Sequence, residues 1–215
     1  MPDKKEILAA AGGYLKQHPD EIVRALRNAA GLRVGLPLEA LRWLAGQAKG
    51  KRAPKDVQIE AVPPGIRISA TVNAMGTPVR AGAAIFVEAV RINAEELRFE
   101  IRVRDVSLKV LDESSESPLA GLLKSGALDL SKPGDLVGFM PKRPAILIEA
   151  KGDRLVLDLK KLPKLQNGKA DRLLRLITPL VTVLDITTDP GHVDFALAAF
   201  PDGLSQAVAA VRRAL

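Results

Sequence analysis

The sequence predicts an α+β fold in which a long, strongly coiled antiparallel sheet wraps amphipathic helices. Apolar side chains recur at every second position through much of residues 57–111, as in strands with one apolar and one charged face. Segments on both sides have helical spacing instead. A hydrophobic fraction of 47 % provides enough apolar surface for a core. We therefore expect a helical N-terminal segment, residues 1–55, and an α+β coiled-sheet domain, residues 56–215.

The N-terminal segment is predicted to hold three helices. Residues 4–30 have two short amphipathic stretches, and His18-Pro19 separates them because the residue before a proline avoids helical geometry. A third helix is predicted to open at Gly35-Leu36-Pro37. The basic loop of residues 49–55 has no apolar anchor and is the best candidate for a linker.

The strands of residues 57–111 change apolar phase twice. The alternating set that includes Val87 moves to Val90 and Ile92, and a second shift by one follows Asp105. Such a shift moves the apolar side chains to the other face unless a bulge or bend intervenes. Two shifts in consecutive strands predict a strongly coiled sheet.

The second half of the chain alternates helical and strand patterns. Pro118 is well placed at a helix start, and residues 128–140 form an apolar segment that suits a lid or packing element. Later elements are a hairpin turning at Lys151-Gly152-Asp153, a basic amphipathic helix within residues 160–177, a hairpin turning at Asp189-Pro190-Gly191, and a C-terminal amphipathic helix from Leu204.

The chain shows no constellation typical of a catalytic or cofactor site. It has no cysteine, and its two histidines, His18 and His192, are isolated from triad partners and from metal-ligand spacing. No glycine-rich phosphate loop opens a helix after a strand. We expect a protein that is not an enzyme and carries no metal or cofactor.

Positive charge is concentrated at the two ends of the chain. The net charge is +7, with +6 in residues 1–55, −2 in residues 56–150 and +3 in residues 151–215. Basic ends suit an acidic surface on a membrane, a protein or a nucleic acid, and equally a purely solubilising role. An aromatic content of 3 % disfavours nucleic acid, whose recognition uses base stacking. No window approaches the ~20 apolar residues of a membrane span, and a signal peptide is not recognised, so we expect a cytoplasmic protein.

Two strand sequences carry a resemblance to a known family. GIRISATVNA, residues 65–74, and LRFEIRVRDVSLKV, residues 97–110, resemble strands of bacterial tubular lipid-binding (TULIP-like) proteins, with the LmeA-like domain of unknown function as the nearest comparison. The resemblance covers residues 56–199. It implies a curved sheet around a long helix, with an apolar groove between them for acyl chains.

Small residues on the apolar face of these strands leave space above the sheet, and a helix or a ligand must fill that space. We predict non-catalytic binding of a lipid or other apolar small molecule in a groove between sheet and helix, with docking on anionic membranes through the basic ends. The alternative is a scaffold that recruits a protein partner through its helical ends. The predicted ligand-binding residues are Ile68, Ala70, Val72, Ala83, Ile85, Phe99, Ile101, Leu122, Phe139 and Met140.

Overall fold

A computed structural model describes residues 32–47, 53–74, 76–112, 114–139 and 143–214. Within these ranges the fold is α+β with two antiparallel sheets, so the predicted class is confirmed. The strong coiling of the sheet stays a prediction. The two helices predicted within residues 4–30 and most of the basic loop lie outside the described residues.

The larger sheet has six strands in the order β2-β3-β4-β5-β7-β6. Its long central strands form a meander, and the predicted turn at Lys151-Gly152-Asp153 joins the last two. Gly152 has φ +57°, a left-handed conformation in which a side chain would be strained. The strands are β2 (Lys55–Val62), β3 (Gly65–Ala74), β4 (Thr77–Ile92), β5 (Leu97–Val110), β6 (Leu147–Lys151) and β7 (Arg154–Asp158).

Both predicted phase shifts are irregularities in the pairing of β4 with β5. One register shift lies between Val87 and Ala89, so that Val87 and Val90 both remain on the apolar face. The other lies where Gly82 pairs with Ser107 and Ala84 pairs with Arg104, around Asp105. Asp105 has φ +50°, which is uncommon for a residue with a side chain and is typical of a bulge. The periodicity of the sequence therefore located both bulges.

The smaller sheet has three strands, β1 (Arg33–Pro37), β8 (Val181–Thr188) and β9 (His192–Ala199), in the order β1-β9-β8. β8 and β9 form the predicted last hairpin. β1 corrects the expectation that a helix opens at Gly35, because Arg33–Pro37 pairs with β9 and the helix starts at Leu38. The domain boundary at residue 55 stays a prediction, but the segment before it contains a strand.

Five α-helices lie among the described residues. Ser117 caps the second one, since its Oγ accepts a hydrogen bond from the Ala120 N–H at 3.1 Å, and Pro118 occupies the first turn as predicted. Within the described part of the predicted apolar segment, residues 128–139, there is no long helix, only the 3-10 helix Asp135–Phe139, which contacts β6. The α-helices are α1 (Leu38–Gly46), α2 (Pro118–Lys124), α3 (Pro163–Gln166), α4 (Lys169–Ile177) and α5 (Leu204–Ala214), and a second 3-10 helix is Leu159–Lys161.

The two sheets and α1 meet in a compact apolar cluster. Leu38, Ile59 and Val193 are 2 %, 7 % and 6 % exposed, and they come from α1, β2 and β9 respectively. The Thr188 N–H also donates to the Pro64 carbonyl at 3.0 Å and links the sheets. Among the described helices, none is long and apolar enough to cross a membrane.

Candidate functional site

An open groove lies where the end of β4 meets β8, α4 and α5. Its volume is about 640 Å³. The residues that line it come from four separate stretches: Val90–Glu95 in β4 and the following turn, Arg175–Pro179 at the end of α4, Thr182–Leu184 in β8, and Pro201–Ala207 before and within α5. Because the segments 90–95, 175–184 and 201–207 are far apart in sequence, only the tertiary fold assembles the groove.

Hydrogen bonds fix the walls of the groove. The Asn93 Oδ1 accepts from the N–H groups of Glu95 and Glu96 at 2.9 and 2.8 Å and shapes the turn after β4. The Thr182 hydroxyl donates to the Ile92 carbonyl at 2.7 Å and holds β8 against β4. At the end of α4, the Thr178 N–H and hydroxyl both donate to the Leu174 carbonyl at 2.9 Å. These hydrogen bonds therefore hold the backbone around the groove in a defined conformation.

The lining combines apolar and polar side chains in similar numbers. Such a mixture suits a ligand with an apolar body and a polar end. The apolar residues of the lining are Val90, Ile92, Ala94, Pro179, Val183, Leu184, Pro201 and Ala207.

Two arginines and two carboxylates give the groove its charge. Arg91 and Arg175 contribute to the lining, as do Glu95 and Asp202. The Arg175 Nε donates to the Asp171 Oδ2 at 3.0 Å, and this bond raises the pKa of Arg175. The pKa of Asp171 is lowered, first by its hydrogen bond from Lys160 and then by that from Arg175. Both groups therefore keep their charges at neutral pH.

The polar face of the larger sheet has a different character, because its charges are paired with one another. Arg102 donates to Glu88 at 2.5 Å and to Asp153 at 3.0 Å. Arg154 hydrogen-bonds Glu100 and lowers the pKa of that carboxyl. With their charges matched across strands, these arginines stabilise the sheet rather than present an open cationic surface.

Seven of the predicted ligand-binding residues lie on the apolar face of the larger sheet, and Leu122 lies in α2. Pairing of β3 with β4 places Ile68 opposite Ala83, and pairing of β4 with β5 places Val87 opposite Ile101. Ala70 and Ile101 are buried, and the other six whose side chains are described are half-buried. None of these eight lines the groove: Ile68, Ala70, Val72, Ala83, Ile85, Phe99, Ile101 and Leu122. The Phe139 side chain and Met140 lie outside the described part of the structure.

Elements of the protein itself cover part of that apolar face. Val57, Ala61 and Ile66 pack against the cluster around Leu38. β8 contacts β4 farther along the sheet. The prediction that these positions bind a ligand stays a prediction, while the groove arises at the end of β4.

Sequence reasoning missed the groove residues. Arg91, Arg175 and Gln206 follow no motif, and the sequence indicates Arg175 only as one of the charged residues of the basic amphipathic helix within residues 160–177. Within the described residues, no three or more His, Asp or Glu side chains are grouped so as to hold a metal ion.

Comparison with known proteins gives no relative for this chain. No protein-family model matches it, and no curated protein or solved structure does so either.

Proposed function

We propose that the protein binds a lipid-like amphiphile, without catalysis, in the groove at the end of β4. The observation that carries this proposal is the groove itself, which is large, open and lined by apolar and polar groups together. Its volume of about 640 Å³ falls within the range of roughly 300–1,000 Å³ that is usual for small-molecule sites.

The apolar part of the lining favours an alkyl or acyl chain. Val90, Ile92 and Val183 come from neighbouring strands, and Ala207 adds a small side chain from α5. Burial of a chain against such a surface gains ~0.8 kcal/mol for each methylene removed from water. A chain of several methylenes therefore gains enough free energy to offset the loss of its freedom on binding.

The polar end of the ligand is proposed to be acidic. Arginine presents five N–H donors, and the hydrogen bond of Arg175 to Asp171 within the described residues uses only the Nε group. The Nη groups can therefore meet a carboxylate or phosphate. Glu95 and Asp202 stand in the same lining and disfavour a second anionic group, so a single acidic group fits best.

A tryptophan placed at the wall of the groove tests the proposal. Gln206 is an exposed residue of α5 that lines the groove, whereas the adjacent Ser205 is equally exposed and does not. Displacement of a dansyl-labelled fatty acid should show that Gln206→Trp weakens binding about tenfold, equivalent to ~1.4 kcal/mol. Ser205→Trp is the matched control and should bind like the wild type.

The outcomes separate the proposal from its alternative. Equal affinities for the two tryptophan variants would contradict binding in this groove. A wild-type protein that does not bind the probe would overturn the proposal and favour the scaffold alternative. A fatty alcohol of the same chain length should compete more weakly than the acid, because it lacks the anion that Arg175 is proposed to meet.

A further inference from the structure

Within the described part of the structure, helix α4 leaves part of its apolar side exposed. With a turn every 3.6 residues, Ala170, Leu173, Leu174 and Ile177 share one side of this helix. No residue of α4 is buried, and Leu173 and Ile177 are 54 % and 41 % exposed. An apolar stripe at a helix surface usually faces the core of a protein, so this orientation calls for a physical cause.

The cause is that polar contacts hold α4 in place. Asp171 accepts a hydrogen bond from Lys160, which lies outside α4 and is 9 % exposed. Next to the helix end, Thr178 is 6 % exposed. Asp171 and Thr178 lie on the side of α4 away from Leu173, so the anchored side is the polar one.

Neighbouring elements also expose large apolar side chains. α4 contacts both α3 and α5. Leu162, directly before α3, is 41 % exposed, and Leu204 and Val208 of α5 are 62 % and 47 % exposed. Several large apolar side chains in adjoining elements exceed the scattered single residues that are normal on a protein surface.

The charge around α4 is strongly positive. Residues 160–177 contain six Lys or Arg and a single acidic residue, Asp171, for a net charge of +5. Asp171 is already paired with two of these cations. Lys169 and Arg172 are exposed and lie on the helix beside Leu173, so cations and apolar groups share one surface.

We propose that α4 docks the protein on an anionic lipid bilayer, with Leu173 and Ile177 inserted at the interface and Lys169 and Arg172 against the head groups. Helices with a strong apolar side flanked by Lys and Arg lie in the interface plane of membranes, and anionic lipids attract their cations. This inference goes beyond the groove and does not rest on its occupancy. Arg175 and Thr178 line the groove and lie on the side of α4 away from Leu173, so the groove and the docking surface are on different sides of this helix.

The first test removes the apolar contact. In vesicle flotation with phosphatidylcholine containing phosphatidylglycerol, Leu173→Asp should lower binding at least about tenfold, because a carboxylate replaces an inserted leucine. Leu111→Asp is the matched control, since Leu111 is 51 % exposed at the end of β5, far from α4 in sequence. The control should bind like the wild type.

The second test removes two cations from α4, and its control removes two cations elsewhere, so that both variants have the same net charge. Lys169→Gln with Arg172→Gln should lower binding about fivefold for each cation lost, equivalent to ~1 kcal/mol each. Arg104→Gln with Lys109→Gln removes the same charge from exposed positions of β5 and should have much less effect. Binding by the wild type should also fall as salt is raised.

Several results would overturn the proposal. These are equal binding to vesicles of phosphatidylcholine alone, no binding by the wild type, or an effect of Leu173→Asp no larger than that of Leu111→Asp. Light scattering tests whether a second copy of the chain occupies this surface instead of a bilayer. A wild-type dimer that Leu173→Asp dissociates would assign the surface to that second copy. Circular dichroism of every variant checks that the fold is retained. Binding of the dansyl probe without vesicles measures ligand binding in the groove separately.

Discussion

Helices α1 and α4 both have nine residues, yet they are attached to the rest of the protein in opposite ways. α1 buries Leu38 against Ile59 and Val193, and the Arg42 Nε adds a hydrogen bond to the Ile59 carbonyl at 2.8 Å. α4 buries none of its residues and is held by the ion pair of Asp171 with Lys160, which lies outside the helix. Amphipathic spacing therefore defines an apolar side of a helix but does not determine whether the protein covers that side. In α1 the apolar side contributes Leu38 to the core, whereas in α4 the apolar side leaves Leu173 and Ile177 exposed.

The largest effect is expected where α1 enters the core. Leu38→Ala should lower the free energy of unfolding by about 2–4 kcal/mol, because it removes buried methylene groups and leaves a cavity among tightly packed neighbours. Urea unfolding followed by circular dichroism measures the change. Leu44→Ala in the same helix is the control, since Leu44 is 48 % exposed and should lose no more than about 0.5 kcal/mol. Similar losses for both variants would contradict the view that apolar packing anchors α1.

A smaller and pH-dependent effect is expected where ion pairs anchor α4. Asp171→Asn removes the negative charge that pairs with Lys160 and Arg175 and replaces one of the two acceptor oxygens by an NH2 donor, so the variant should melt at a lower temperature than the wild type at pH 7. The folded protein lowers the pKa of Asp171, so this carboxylate stabilises the fold above its unfolded pKa of ~3.9, and that stabilisation is lost as the pH falls through the lower folded value.

Melting temperatures of the two proteins measured from neutral to acidic pH check the sign of this linkage. The difference between them should be full at pH 7 and should shrink below about pH 4, as Asp171 of the wild type becomes protonated. Glu149→Gln, a change at an exposed carboxylate of β6, provides the comparison and should give a small difference. A gap for Asp171→Asn that stays constant down to the lowest pH would assign the effect to something other than the ion pairs.

The sequence predicts elements whose pattern is local. Alternation of apolar residues marks the strands, and a change in its phase locates the bulges near Glu88 and Asp105, since a bulge is the physical means of keeping a face apolar. The sequence does not predict strand β1, because five residues containing Gly35 and Pro37 resemble a helix start more than a strand. Only its pairing with β9 defines it, and that pairing is remote in sequence.

The groove and the uncovered side of α4 could not be predicted in the same way. Three segments distant in sequence, 90–95, 175–184 and 201–207, form the groove, and no periodicity encodes their meeting. The sequence predicts an amphipathic helix within residues 160–177, and the apolar side of such a helix usually faces the core. What reverses its orientation is the contact of Asp171 with buried Lys160, two residues separated by the whole of α3.

The smallest effect on stability is expected for Leu173→Ala, the counterpart in α4 of the substitution at Leu38. The same atoms are deleted, but Leu173 is 54 % exposed where Leu38 is 2 % exposed, so the free energy of unfolding should change by less than about 0.5 kcal/mol. Urea unfolding under the same conditions makes the two leucines directly comparable. A loss approaching that of Leu38→Ala would show that Leu173 is covered in solution, and the free apolar side that membrane docking requires would then not exist.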